Sequence, residues 1–289
     1  MNELSSLNYS PATLRAYERD LDTWIFHIGF KQLPFDPLEV AEVKEWIAKL
    51  RGEELSIKTI KRRISACREF YRWAKAEKKA STNPFVDLPR IRGEKRLPKF
   101  VEVEGIPGLM KAAAKSSGRK KVHAERNLAI VETIYSTGCR LDELHRLSVE
   151  DVSSASKTVL LFGKGRKERR IPIGDKALEA IAAYLPIRKA MLELKERFYE
   201  EALFVSERGG RLSRDAIQDV VANAGIKAGI KLHPHMLRHS YGTHVSDAGA
   251  DLSEVQELLG HANPQTSRIY THLSGKRLQK VYQRTHPRA

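Results

Sequence analysis

Four residues toward the C-terminal end of this 289-residue chain carry side chains suited to phosphate-ester chemistry: His235, Arg238, His261 and Tyr270. A phenol oxygen can attack phosphorus, a guanidinium can hold two phosphate oxygens in a fork, and an imidazole can move protons near neutral pH. Their spacing places them on successive elements. His235 and Arg238 are three apart in HPHMLRHS, so on a helix they share one face. A second helix, SEVQELLG, stops at Gly260, a residue type common just past a helix end, and His261 follows it. Tyr270 lies nine residues further on, beyond the turn signal Asn263-Pro264.

Composition narrows the partner. The formal charge is +15 and the pI is about 9.8, which favours a polyanion, nucleic acid first and an anionic membrane surface second. No apolar run reaches about eighteen residues and no signal-peptide core precedes the first helix, so the chain reads as soluble and cytoplasmic. Cys67 and Cys139 fall in separate helical contexts and read as reduced and structural. Six of the ten histidines lie between His233 and His272. His235 and His239 could share a helix face as metal ligands do, but there is no HExxH and no cysteine or carboxylate to complete a set. The reading therefore includes no metal and no cofactor. His233, His239, His244 and His272 are assigned to packing, capping or backbone contacts, and Tyr270 taken alone would be a core or interface tyrosine.

The elements that must position these groups are mostly helical. Ser10-Pro11 starts a first helix to about Ile28, with Leu14, Tyr17, Leu21, Trp24 and Ile25 at helical spacing. Phe35-Asp36-Pro37 is read as opening a second helix, with Val40, Val43, Trp46, Ile47 and Leu50 inward and Gly52 beyond its end. Ser56 caps a third to about Lys79, whose apolar stripe carries Ile57, Ile60, Ile64, Cys67, Tyr71 and Ala74. A rotated stripe carries Lys58, Lys61, Arg62, Arg68, Arg72 and Lys75. Nine basic residues stand against two acidic ones between Ser56 and Lys79. An ordinary solvated face mixes the signs, so this stripe reads as a phosphate-tracking surface.

Leu88 to Pro98, without periodicity and with prolines bracketing a charge run, reads as a linker. Beyond it, Asn127–Gly138 predicts a buried helix, and Arg140 opens the next one with Glu143 a turn away, within reach of a charge-assisted bond. Thr158–Phe162 and Arg169–Ile173 predict strands joined by the hairpin turn Gly163–Lys167, whose spacing excludes a nucleotide-binding P-loop. Asp175 to about Phe198 predicts one or two helices with a break at Pro186, and Ser213 caps another to about Ala228. The fold class is thus mainly α with a small antiparallel β-sheet: a helical DNA-binding domain (1–88), a linker (89–98) and an α+β domain (99–289).

HMLRH, LLGH and RIYTH, in this order and spacing, resemble the C-terminal signature of the tyrosine recombinases, the phage-integrase family, and most nearly its Xer branch. The closing HPRA resembles the tail of that branch. TGCRLDEL resembles the family's first-arginine motif, and GKGRKER resembles the hairpin that carries its lysine. Asp142 departs from the serine usual in the branch. The resemblance implies a SAM-like N-terminal domain and Arg140, Lys164, His235, Arg238, His261 and Tyr270 as catalytic residues, with Lys167 the rival to Lys164. It implies a 3′-phosphotyrosine intermediate, double-stranded DNA as partner, and a homo- or hetero-tetramer on two sites, with activation by a DNA translocase left open. It also implies a C-terminal tail, Gly275–Gln283, that docks on a neighbouring protomer through Leu278 and Val281. Chromosome-dimer resolution is the expected task. A minimal phage or transposon integrase and a type IB topoisomerase-like enzyme share the residue set and stay open, and a DNA-binding module without catalysis fits it less well.

Overall fold

The computed structural model describes residues 11–89, 91, 99–115, 122–163, 168–260 and 274–289. The chain divides into two compact units, Met1–Arg96 and Leu97–Ala289, each with its own core.

The first unit is built on α1 (Pro11–Phe30), α2 (Val40–Gly52) and α3 (Ile57–Ala76). Its core is aromatic: Trp24 meets Trp46 and Phe85 edge-on, with centroids 5.0 Å away in each case, and donates its indole N–H to Tyr71 Oη at 3.4 Å. The expected inward residues of α1 are buried at Leu21 and Trp24, whereas Ile25 is 54% exposed and Ile28 takes the inward position one turn on. Ser56 caps α3 as read, accepting from Thr59 N at 3.1 Å. Asp36 does not open α2, which starts at Val40. Its carboxylate instead accepts from the backbone N–H groups of Ser81 and Thr82 at 2.7 and 3.3 Å, pinning the segment after α3.

The second unit packs α4 (Ile106–Ala114), α5 (Val122–Thr137), α7 (Asp175–Leu194), α8 (Arg214–Lys227) and α9 (Pro234–Asp247) around a large apolar core. Beside it lies a three-stranded antiparallel sheet, β1 (Val152–Ser153), β2 (Thr158–Phe162) and β3 (Glu168–Pro172). The β2–β3 hairpin pairs Phe162 with Glu168 and Leu161 with Arg169; β1, a two-residue edge strand, has too short a pattern to read from sequence. The helix α7 runs unbroken through Pro186. The carbonyl that proline leaves without a partner belongs to Ala182, on the exposed side, where water can serve it. Short helices α6 (Leu141–Arg146) and α10 (Leu252–Leu259) follow α5 and α9, and α11 (Ser274–Thr285) closes the unit.

Candidate active site

Arg140 is the N-cap of α6, placed there by a tight turn in which Gly138 adopts φ +58°. A Cβ at Gly138 would lie 2.5 Å from the Tyr241 ring and 2.9 Å from Leu259, so this position requires glycine for both angle and space. Glu143 accepts from the Arg140 backbone N–H at 2.8 Å and from its guanidinium at 2.9 Å, as the sequence reading expects for the pair. The Glu143 side chain is buried while Arg140 remains partly exposed. A third participant was not nominated from sequence: Arg169 on β3 grips both oxygens of Glu143, at 2.7 and 2.8 Å. Burial pushes the Glu143 carboxyl up, but the Arg169 fork and the Arg140 bonds outweigh it and hold the group below its ordinary value.

Arg238 lies inside α9 and is buried. One terminal nitrogen donates to Gly138 O, in the turn that launches Arg140. The other donates to Leu259 O at 2.7 Å, at the end of α10. Desolvation, then the neighbouring charge of Arg140, lowers its pKa to about 10, so it is a cation at neutral pH in a poor solvent. His235 sits one turn before Arg238 on the same helix, with its ring exposed. α10 ends with Gly260 in the left-handed region, φ +66°, and His261 follows immediately. Arg238 therefore ties the turn before Arg140 to the end of α10 by direct hydrogen bonds. Lys164, with its rival Lys167, and His261 and Tyr270 lie outside the described residues.

Four of the other histidines have structural partners, and His272 lies outside the described residues. His233 caps α9, accepting from Met236 N at 3.1 Å. His239 packs edge-on against Phe100, and His244 bonds Tyr135 Oη at 2.8 Å. His286 stacks on Tyr282 with centroids 4.6 Å away. Among the described residues no group of three or more His, Cys, Asp or Glu side chains is arranged to hold a metal ion. Cys67 and Cys139 are free and buried.

The basic stripe of α3 separates into two kinds of residue. Lys58 and Lys61 are exposed and make no ion pair among the described residues. Arg72 is exposed and pairs with Glu69 at 2.8 Å. Arg62 donates to the buried carboxylate of Asp20 at 2.5 Å, and Arg68 donates to Phe85 O at 2.8 Å. The last two hold the domain together, a role that helical spacing alone does not distinguish from phosphate contact.

The C-terminal helix also has a place. Leu278 and Val281 are buried, as their spacing suggests, and so is Tyr282. In the single chain they pack on their own unit, against Tyr241, Val245, Val255 and Leu258. Tyr282 Oη bonds Ser136 Oγ at 2.7 Å, and Arg288 pairs with the buried Glu132.

Comparison with known proteins places this arrangement. Residues 99–277 match the Phage integrase family and residues 2–78 match the Phage integrase N-terminal SAM-like domain. The chain belongs to the phage integrase family. It is 37% identical to "Tyrosine recombinase XerC" of Alcanivorax borkumensis over 99% of this chain and 91% of that protein. It is 42% identical to XerC of Actinobacillus pleuropneumoniae over 86% of this chain and 79% of that one. Among solved structures, the XerH site-specific recombinase bound to difH substrate in a pre-cleavage complex gives a TM-score of 0.68 at 25% identity, covering 92% of this chain and 77% of that one. Its post-cleavage complex gives 0.73 at 24% identity over 92% and 78%, a likeness of fold.

Proposed function

We propose that this chain is a Xer-type site-specific tyrosine recombinase that cuts and rejoins DNA through a 3′-phosphotyrosine link to Tyr270. One observation carries the reading. Arg238 ties the Arg140 turn to the end of the helix that leads into His261, so two phosphate-gripping arginines and the approach to the nucleophile form one unit.

The Tyr270 hydroxyl attacks a backbone phosphorus. A bond forms from phosphorus to the tyrosine oxygen, and the bond to the 5′ oxygen breaks. That oxygen leaves as a 5′ hydroxyl after taking a proton from Lys164. His235 assists proton movement at the tyrosine, and His261 donates to a phosphate oxygen. Arg140 and Arg238 hold the non-bridging oxygens and offset the charge that grows on them, a task magnesium performs in many phosphoryl transfers, so the reading needs neither metal nor nucleotide. The ester conserves the bond energy, and a 5′ hydroxyl from another strand reverses the step with exchange.

The XerC names of the curated relatives support chromosome-dimer resolution as the task. A structural neighbour described as a lambda integrase tetramer bound to a Holliday junction supports four protomers on two DNA sites. Exchange of α11 onto a neighbour and activation by a DNA translocase complete the proposal. The exposure of Lys58, Lys61 and Arg72 on α3 supports them as phosphate contacts.

The test is incubation of the full-length protein with a nicked DNA carrying a candidate site, followed by a denaturing gel. Wild-type protein is expected to form a covalent adduct. Tyr270→Phe is expected to bind the same DNA and form none. An adduct in Tyr270→Phe would sink the assignment, and supercoil relaxation without exchange between sites would favour a topoisomerase.

A further inference from the structure

Arg169 is a cation at the site that none of the roles above uses. It closes a two-bond fork on Glu143, at 2.7 and 2.8 Å, while Arg140 takes the same carboxylate through its backbone N–H at 2.8 Å and one guanidinium nitrogen at 2.9 Å. Four donors thus fill the four lone-pair directions of a carboxylate that is 2% exposed. On its other side, Arg169 lies against Gly260: a Cβ there would collide with the Arg169 Cδ, Nε and Cζ atoms. Along the chain, Arg169 is the second residue of β3 and pairs with Leu161 across the hairpin that carries Lys164. Its Nε is buried and makes no hydrogen bond among the described residues, so the side chain is held by its fork and by packing.

We propose that Arg169 is a positioning residue for strand cleavage, acting through Glu143 on Arg140 and through Gly260 on the turn that leads into His261. The proposal rests on the recombinase reading above. A buried carboxylate with only Arg140 beside it would draw that guanidinium into a two-bond fork of its own. With Arg169 occupying both oxygens, Arg140 gives up one guanidinium nitrogen and keeps the others for a phosphate. The side chain that sets this share also lies against Gly260, the residue before His261 in the chain, and its strand follows Lys164 in the sequence. One residue therefore links β3, the Arg140 turn and the end of α10, which come from distant parts of the chain. Lysine cannot substitute, because its single ammonium has no planar fork.

The experiment compares wild type, Arg169→Lys and Arg169→Ala as full-length proteins on nicked site DNA. It measures cleavage rate at saturating protein, site affinity by gel shift, and thermal midpoint. Cleavage should fall by roughly tenfold to a hundredfold in Arg169→Lys, as for a small misplacement of reacting groups, with affinity changed less than about threefold and the protein folded at the assay temperature. Arg169→Ala should be slower still; because it leaves Glu143 buried without its fork and can fail to fold, Arg169→Lys decides. Wild-type rate in a folded Arg169→Lys would overturn the proposal. So would a loss confined to affinity, or failure of Arg169→Lys to fold, since either assigns Arg169 to binding or stability. Absence of an adduct in the parallel wild-type reaction would instead remove the recombinase reading, and this proposal with it.

Discussion

Arg238 spends its hydrogen bonds on two backbone carbonyls, Gly138 O and Leu259 O, while burial and the adjacent Arg140 disfavour its charge. On the proposed reading, a phosphate arriving at the two arginines offsets that cost, and most fully when charge is greatest on its oxygens. Arg238→Ala should therefore reduce cleavage by orders of magnitude with a smaller loss in DNA affinity. It should also lower stability by about 1–3 kcal/mol for each carbonyl left buried without a donor. Single-turnover cleavage, gel shift and thermal melting separate the three, and equal losses of rate and affinity would point to a positioning role. The α3 cations make a second contrast. Lys58→Ala and Lys61→Ala should each reduce the slope of log affinity against log salt by roughly one, with stability unchanged. Arg62→Ala should leave the slope nearly unchanged and cost about 1 kcal/mol of stability, because it strips a hydrogen bond from the buried Asp20; a salt titration with a parallel melt decides. The Arg140–Glu143 pair was legible because both partners lie within one helical turn. Arg169 was not, since it reaches Glu143 across 26 residues of sequence, and only strand alternation hints that it points away from its charged neighbours Glu168 and Arg170.

At the scale of elements, the turns of the candidate site depend on close backbone approaches. Gly138 brings the end of α5 against Tyr241 on α9 and Leu259 on α10, so Arg140 leaves the turn toward Arg238. Gly138→Ala forces a side chain into a left-handed conformation, at about 1–2 kcal/mol, and into the Tyr241 ring. The expected result is a lower thermal midpoint and a cleavage rate that falls further than affinity, measured below the midpoint of the variant. Helix and hairpin identities were legible because periodicity and turn residues are local signals. The start of α2 was not, because the Asp36 carboxylate that could have capped it is taken by Ser81 and Thr82, 45 and 46 residues away. The continuity of α7 was likewise hidden: whether a proline ends a helix depends on where the orphaned carbonyl points, and that is known only after folding.

For the molecule as a whole, the C-terminal segment is the part whose placement sequence alone could not decide. Its apolar edge was readable at Leu278 and Val281, but the surface that receives it is assembled from α9 and α10. His286 anchors the far end, held neutral by burial: its pKa falls to about 3, with its Nε2 3.3 Å from Tyr135 O. An ordinary histidine titrates near 6.5, so on acidification the unfolded or undocked state takes up the proton first. Stability should fall as pH drops from about 6.5 toward 3. The buried His244, whose pKa is also lowered, acts in the same direction. Thermal midpoints between about pH 7.5 and 5 should decline less steeply in His286→Gln than in wild type; parallel slopes would remove His286 from the account.

The seat occupied by α11 sets a condition on any assembly that exchanges this helix. The helix belongs to the same chain as its seat, and covalent attachment holds a segment near its seat at a local concentration of the order of millimolar. A neighbouring protomer diffusing freely at micromolar concentration cannot displace it on equal terms. Two protomers fixed side by side on one DNA can, because the duplex gives the neighbour's helix a local concentration of the same order. A seat filled from within thus makes the spacing between two half-sites, more than the abundance of the protein, the quantity that decides whether protomers become linked.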